Sequence, residues 1–269
     1  MSIIVATNFS KLSENAVLYA AGLTKQFQTE LVLFHAFKLP VHAANSRLSA
    51  ISLDSLFEKN KVKLKKTAAH LSEKFQIKVT YKSTYSNLGE EVDLLMKEHK
   101  ARFLVIGMSP KSIEQNLIGN PTTSVISMKE FPVLAIPIEA KFKEVKQILF
   151  ACDLLQDIPL KTLAKLRQVA LNLKATVTVF YVDQKIEELQ TDTTNTLDKE
   201  LEDVTHFYKN VKSNSVIDAI EDEIKKSNSE LLVMMPKKYG FWESIVHKSK
   251  TRVMASGQNI PLLSIPIES

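Results

Sequence analysis

The sequence predicts an α/β protein made of two copies of one unit, each a five-stranded parallel sheet with helices on both faces. Three observations carry this expectation. Residues 103–126, FLVIGMSPKSIEQNLIGNPTTSVI, align without a gap on residues 231–254, LLVMMPKKYGFWESIVHKSKTRVM. The flanking blocks recur in the same order: IIVATNFS from Ile3 matches ILFACDLL from Ile148, and FPVLAIPIE ending at Glu139 matches IPLLSIPIE ending at Glu268. Within each copy, short apolar β-branched runs alternate with stretches of helical period, the pattern of a parallel sheet covered on both faces. Solenoid repeats run to only about 20–50 residues, so so long a period marks a domain duplication. Residues 1–140 form the first domain and 145–269 the second, with AKFKEV at 140–145 between them.

The elements of the first copy follow in order. Residues 3–7 are a strand, after which Asn8 or Ser10 caps a helix with Ala16, Ala20, Leu23 and Phe27 on one stripe. Residues 30–36 are the second strand. A loop over residues 40–54 leads into a helix rich in lysine (Lys59, Lys61, Lys63, Lys65, Lys66), whose Val62, Leu64, Ala68, Ala69 and Leu71 supply its apolar positions. Strand three covers 77–83, a helix 90–99, strand four 103–107, a helix 122–129 and strand five 132–136. In the second copy, Asp157 and Pro159 open a helix whose stripe is Leu163, Leu166, Ala170 and Leu173.

Composition removes several function classes. The 269 residues are 45% hydrophobic and 24% charged, an ordinary globular balance with material for a sizeable core. No apolar run approaches the ~20 residues of a membrane span, so no membrane partner is expected. The opening residues show neither a basic stretch nor a cleavage site, so no secretory or transit peptide is expected. A lone cysteine, Cys152, excludes a disulfide framework and fits a reducing cytoplasm. The net charge of +5 lies in residues 1–140, with 17 basic against 12 acidic side chains, while residues 141–269 carry 18 of each. The lysine run reads as the solvated face of a helix. No aromatic residues interleave with it as a nucleic-acid surface requires, so nucleic acid is not an expected partner.

In open parallel sheets, ligands bind beyond the carboxyl ends of the strands. The residues there are Ala6, Thr7, Asn8 and Ala36, and the segment from Gly107 onward. The corresponding second-copy positions are Cys152, Asp153 and Val182, and Met235 onward.

With VATNFS, the LVLFHA strand and the block from VIGMSP through GNPTTSVI to FPVLAIP, the chain resembles the universal stress protein family in its tandem form. The resemblance implies two Rossmann-like domains of the adenine nucleotide alpha hydrolase type, a non-enzymatic stress-response role in the cytoplasm, and ATP or AMP as ligand. It also implies that the halves pair as an intramolecular pseudo-dimer through PVLAIP and PLLSIP, with a homodimer as a further possibility. Family members that bind nucleotide carry G-x2-G-x9-G-[ST] after the fourth strand, where backbone N–H groups at a helix start cradle phosphate. Here Gly107 and Gly119 stand at the first and third glycines, Pro110 replaces the second, and Asn120 and Pro121 follow Gly119. Eight residues separate Pro110 from Gly119, one fewer than the family spacing. The two prolines lack donors, which weakens the cradle. Thr122 and Thr123 still offer hydroxyls and N–H groups. Asn8 stands where nucleotide-binding relatives carry an aspartate. The resemblance thus assigns Asn8 and Ala36 to the adenosine, and Gly107, Gly119, Asn120, Thr122 and Thr123 to ribose and phosphates, with Ala6 and Thr7 also part of the site. The plain alternative is that the two glycines serve turns.

The second copy has Met235 and His247 where the glycines would stand, so no cradle is expected there. Lys237, Lys238, His247 and Lys248 remain as a solvated rim, and Trp242 as a packed loop residue. His35, at the end of the second strand, reads as a structural histidine. The six histidines show no H-E-x-x-H pattern, and neither a Walker loop, a G-x-G-x-x-G nor a G-x-S-x-G elbow occurs. Glu90, Glu91 and Asp93 read as solvent contacts. No catalytic residue and no metal site are expected. The rival functions are a slow ATP hydrolase and a nucleotide-independent interaction scaffold.

Overall fold

The computed structural model describes residues 2–37, 50–85, 88–108, 131–152, 158–183, 191–235 and 260–267. The chain divides into two compact units, Met1–Gly107 and Met108–Ser269. The last strand of the first repeat therefore belongs to the second unit by its contacts.

The first unit alternates β1 (Ser2–Ala6), α1 (Lys11–Gln26), β2 (Glu30–Ala36), α2 (Ala50–Phe75), β3 (Val79–Thr84), α3 (Leu88–Glu98) and β4 (Ala101–Met108). Its strands run parallel in the order β3-β2-β1-β4. The core of the sheet is Ile3, Ile4, Leu31, Leu33, Phe34 and Leu104, all essentially without exposure. These continuous apolar strands require cover on both faces. The stripe of Ala16, Ala20, Leu23 and Phe27 is buried on α1, and so are Val17, Tyr19, Ala21, Gly22 and Thr24. This helix is thus enclosed on more than one side, which small residues permit.

In the second unit the order is β5 (Val133–Pro137), β6 (Gln147–Ala151), α4 (Leu160–Leu173), β7 (Thr176–Asp183), α5 (Thr191–Glu200), β8 (His206–Lys212), α6 (Val216–Ser227), β9 (Leu231–Met234) and β10 (Leu262–Ser264). The sheet order is β5-β10-β9-β6-β7-β8, parallel except for the antiparallel pair β5–β10. The α4 stripe of Leu163, Leu166, Ala170 and Leu173 is buried as its spacing predicts. Pro159 caps α4 by backbone conformation alone, with no side-chain bond.

The duplication holds at the level of single residues. In the first unit Ala6, Phe34 and Lys82 form one row across β1, β2 and β3; in the second, Ala151, Phe180 and Lys209 form the same row across β6, β7 and β8. Lys82 Nζ lies 3.0 Å from Glu91 on α3, and Lys209 Nζ 2.7 Å from Glu223 on α6. β3 and β8 are outer strands, and a lysine tied to the adjacent helix is a means of blunting such an edge. Glu91 is consequently an ion-pair partner, where the sequence suggested a solvent contact.

Other element bounds also differ from the sequence expectation. α2 begins at Ala50, inside the segment expected to be a loop. Its early turns carry Phe57, which meets Phe37 and Tyr85 at ring-centroid distances of 5.9 and 4.0 Å. That aromatic packing extends the helix beyond its lysine-rich part. β3 starts at Val79 because Ile77 is consumed in the turn after α2. The expected helix over residues 122–129 lies outside the described residues.

Glycine is scarce, with only six in the chain, and helix ends among the described residues use other residues in the left-handed region. Gln28, Gln76, Lys100, Lys174 and Asn228 take left-handed φ values of 45° to 55° directly after or near helix C-termini. These L residues adopt it at a cost of roughly 1–2 kcal/mol each, least for Asn228, whose short amide can bond locally. Phe9, at φ 60°, is the exception in position, since it precedes a helix.

Candidate functional site

The site is built where β1 gives way to α1. Thr7 continues the sheet, its N–H donating to the Phe34 carbonyl at 2.8 Å. The chain then turns through Asn8 and Phe9 to Ser10, which caps α1 by accepting from the Ser13 N–H at 3.3 Å. Ser13 is the hub of this turn. Its hydroxyl donates to the Ser10 carbonyl at 3.0 Å, lies 3.1 Å from the Thr7 hydroxyl, and accepts from the Asn8 N–H at 3.3 Å. The Phe9 N–H donates to Thr7 Oγ1, and the Ser10 N–H to Asn8 Oδ1, both at 3.1 Å. Every backbone donor from Asn8 to Ser10 thus has a local acceptor, leaving the exposed Asn8 amide as the polar group this turn presents outward.

His35 fastens the turn to β2. Its Nδ1 lies 2.8 Å from the Thr7 carbonyl, and Asn60 Nδ2 on α2 lies 3.4 Å from Nε2. A carbonyl only accepts, so Nδ1 carries the proton and Nε2 receives the Asn60 N–H. Burial pushes the His35 pKa below its ordinary value, and the bond to Thr7 opposes that in part. The histidine is neutral and structural. Phe9 lies against it at 4.7 Å, and Lys63 Nζ stands 4.5 Å from the Phe9 ring centre. Beyond them Phe37, Phe57 and Tyr85 cluster, with the Tyr85 hydroxyl donating to Asp54 at 3.0 Å.

Strand register sorts the expected site residues between two faces. Ala6 pairs with Phe34, so Ala36, two residues on, points to the same face as Ala6. Val5 pairs with Val105, which sends Gly107 to the opposite face with Thr7. Ala6 and Ala36 are both half-buried. Gly107 has a definite structural reason: a Cβ there would lie 2.7 Å from Leu12 Cγ and 3.1 Å from the Leu12 carbonyl oxygen. It lies within strand β4 and admits the first turn of α1, so it does not serve a turn. Gly119, Asn120, Thr122 and Thr123 lie outside the described residues, as do Asp153, Trp242 and His247. Phe9, Ser13 and Asn60 complete the turn and its support, and no sequence motif marks Phe9 or Asn60. The serine spacing Ser10–Ser13 was the one visible signal, because a hydroxyl at the cap with a second three residues on can close such a knot.

In the second unit Cys152 takes the place of Thr7, its N–H donating to the Phe180 carbonyl at 3.0 Å. Tyr181 occupies the position equivalent to His35, one residue after the Phe180 that matches Phe34. Nearby, Asp198 on α5 lies 3.0 Å from His206 Nε2 and accepts from the Tyr208 hydroxyl at 2.7 Å. Those bonds, His206 first, hold the Asp198 carboxyl below the usual range, while burial and Asp198 raise Tyr208. They bind α5 to β8. Among the described residues no group of three or more His, Cys, Asp or Glu is placed to hold a metal, and no helix is long and apolar enough to cross a membrane.

A mostly parallel sheet flanked by helices, with a polar turn at the carboxyl end of its central strand, is the Rossmann-like, nucleotide-hydrolase-like class of fold. The chain belongs to the universal stress protein family, whose sequence model matches residues 1–137, half of its length. The structure is similar to that of a universal stress protein from Archaeoglobus fulgidus DSM 4304, with a TM-score of 0.71 at 15% identity, covering 100% of this chain and 97% of that one. A putative universal stress protein from Pseudomonas aeruginosa UCBPP-PA14 matches with a TM-score of 0.56 at 14% identity, over 98% and 92% of the two chains. The cytoplasmic domain of a prokaryotic cation chloride cotransporter also matches, with a TM-score of 0.56 at 12% identity, over 98% and 94%. At these identities the likeness is one of fold, which different functions share. A sequence search of curated proteins finds no significant match.

Proposed function

We propose that this chain is a tandem, non-enzymatic stress-response protein of the cytoplasm that binds an adenine nucleotide, ATP or AMP, at the carboxyl edge of its first sheet. The observation that carries this reading is the Asn8 turn. Its backbone is held by Thr7, Ser10 and Ser13, so the Asn8 side chain is presented from a fixed loop with its Oδ1 oriented by the Ser10 N–H. Ala6 and Ala36, small and half-buried on one face, leave room for a planar base beside it. An amide offers both a donor and an acceptor to the edge of a base or a ribose hydroxyl. The phosphates fall to the segment from Gly107 through Gly119, Asn120, Thr122 and Thr123, where the lost glycine and added prolines make for weak binding. The antiparallel pairing of β5 with β10 supports joining of the repeats through their last strands.

Titration calorimetry with ATP, ADP and AMP, with and without magnesium, tests the reading. At about 100 μM protein, ordinary metabolite affinities give measurable heat. Binding that weakens at least tenfold in Asn8→Ala, with no phosphate released from ATP, is the expected result. Absence of heat from every nucleotide overturns it, and steady phosphate release replaces it with a hydrolase.

A further inference from the structure

The outward face of α2 carries a straight row of positive charge that the proposed nucleotide site does not use. At 100° per residue, Lys59, Lys63, Lys66, His70 and Lys74 fall within an arc of about 80° and run along about 22 Å of helix. All five are exposed. None of the four lysines has an ion pair among the described residues, because the acids of this helix are used elsewhere or lie at the margin. Asp54 accepts from Tyr85, Glu58 pairs with Lys61 at 3.3 Å on another side, and Glu73 sits at the edge of the row. Lys61 and Lys65 point away from the row, about 200–240° round from Lys59. Leu56 and Val62, 42% and 52% exposed, flank the row on either side, while Leu64, Ala68 and Leu71 face the core.

From this arrangement we propose that the α2 face docks on an anionic lipid surface, against the expectation of no membrane partner drawn from the sequence. The row is four lysines with His70 among them. It has no arginine to fork onto phosphates, and the nearest rings, Phe9 and Phe75, are half-buried under Lys63 and Lys74. No exposed aromatic is left to stack on bases, so the row lacks the means by which proteins hold nucleic acid. Lys59 and Lys66 reach headgroups directly while their methylenes lie along the surface, and Lys63 and Lys74 do so from over the rings of Phe9 and Phe75. The two flanking aliphatic side chains then enter the boundary below the headgroups. Four to eight clustered basic residues on a helix are the pattern that recognises acidic headgroups.

Co-sedimentation with vesicles tests the proposal. The full chain is mixed with phosphatidylcholine vesicles, and with vesicles in which about a third of the lipid is phosphatidylglycerol, at low and at high salt. Binding to the anionic vesicles at low salt alone is expected. K59E/K66E should reduce that binding at least about tenfold, by the loss of two favourable charges and the gain of two unfavourable ones. K61E/K65E changes the net charge equally but off the row, and should stay within about twofold of the parent protein. Circular dichroism establishes that both variants fold, and K59Q/K66Q substitutes if K59E/K66E does not. Equal loss in K61E/K65E, no binding to anionic vesicles, equal binding to neutral ones, or tighter binding to a nucleic-acid duplex or single strand would each overturn it. The nucleotide reading stands or falls separately, since neither variant touches Asn8.

Discussion

Leu134 of β5 and Leu263 of β10 face each other as direct partners in the antiparallel pair, and they occupy the same position in the two repeats. Their neighbours exchange places: Val133 pairs with Ser264 and Ala135 with Leu262. In the alignment of PVLAIP with PLLSIP, Val133 corresponds to Leu262 and Ala135 to Ser264. Each contact therefore has its counterpart with the roles reversed, the relationship found at a twofold interface between identical subunits.

That pairing makes the two leucines energetically coupled. Both are 2% exposed, so Leu134→Ala and Leu263→Ala should each destabilise the protein by about 2–5 kcal/mol. Cross-strand partners share one neighbourhood, so the double variant should differ from the sum of the singles by at least about 0.5 kcal/mol. Urea denaturation of the four proteins measures this cycle. Strict additivity would mean that the two side chains do not meet.

Gly107→Ala should lower stability through the crowding of Leu12. A methyl group at 2.7 Å from Leu12 Cγ forces the first turn of α1 outward, at a cost of about 1–3 kcal/mol. Thermal unfolding should shift down by several degrees. Leu12→Ala in the same chain should recover part of the loss, because the closest contact is with that side chain. If Gly107→Ala melts at the parent temperature, the helix does not approach β4 as closely as described.

His35 makes stability depend on pH in a definite direction. Its folded pKa lies below the unfolded value, so in mild acid the unfolded chain takes up the proton that the folded chain refuses. Stability is full above the unfolded pKa, near 6.5, and falls as the pH drops from there through the folded pKa. The urea midpoint measured from pH 7.5 down to pH 5 should decline, and His35→Asn should remove part of that slope. An unchanged slope in the variant would assign the pH response to other groups.

Much of this architecture was legible in the residues themselves. β2 falls where the run ELVLFHA says it should, because a continuous apolar stretch has no other stable use than the middle of a parallel sheet. The buried stripe on α4 is equally plain in its spacing. The internal repeat was visible because the same apolar blocks recur in order, and it survives in the structure down to the matching rows of Ala6, Phe34 and Lys82 with Ala151, Phe180 and Lys209. The early start of α2 was not visible, since Ala50 and the residues after it carry no strong cap. What extends that helix is the packing of Phe57 on Phe37 and Tyr85, residues distant in sequence.

The candidate site divides along the same line. Sequence alone determined that Ala6, Thr7, Asn8, Ala36 and Gly107 lie at strand ends, because strand position follows from local hydrophobic period. Only tertiary structure decided which face each one serves, that Gly107 makes room for Leu12, and that Ser13 and His35 hold the turn in which Asn8 sits. Those facts depend on register between strands and on the approach of a helix to a sheet. Such contacts join residues many positions apart, and a linear pattern carries no record of them.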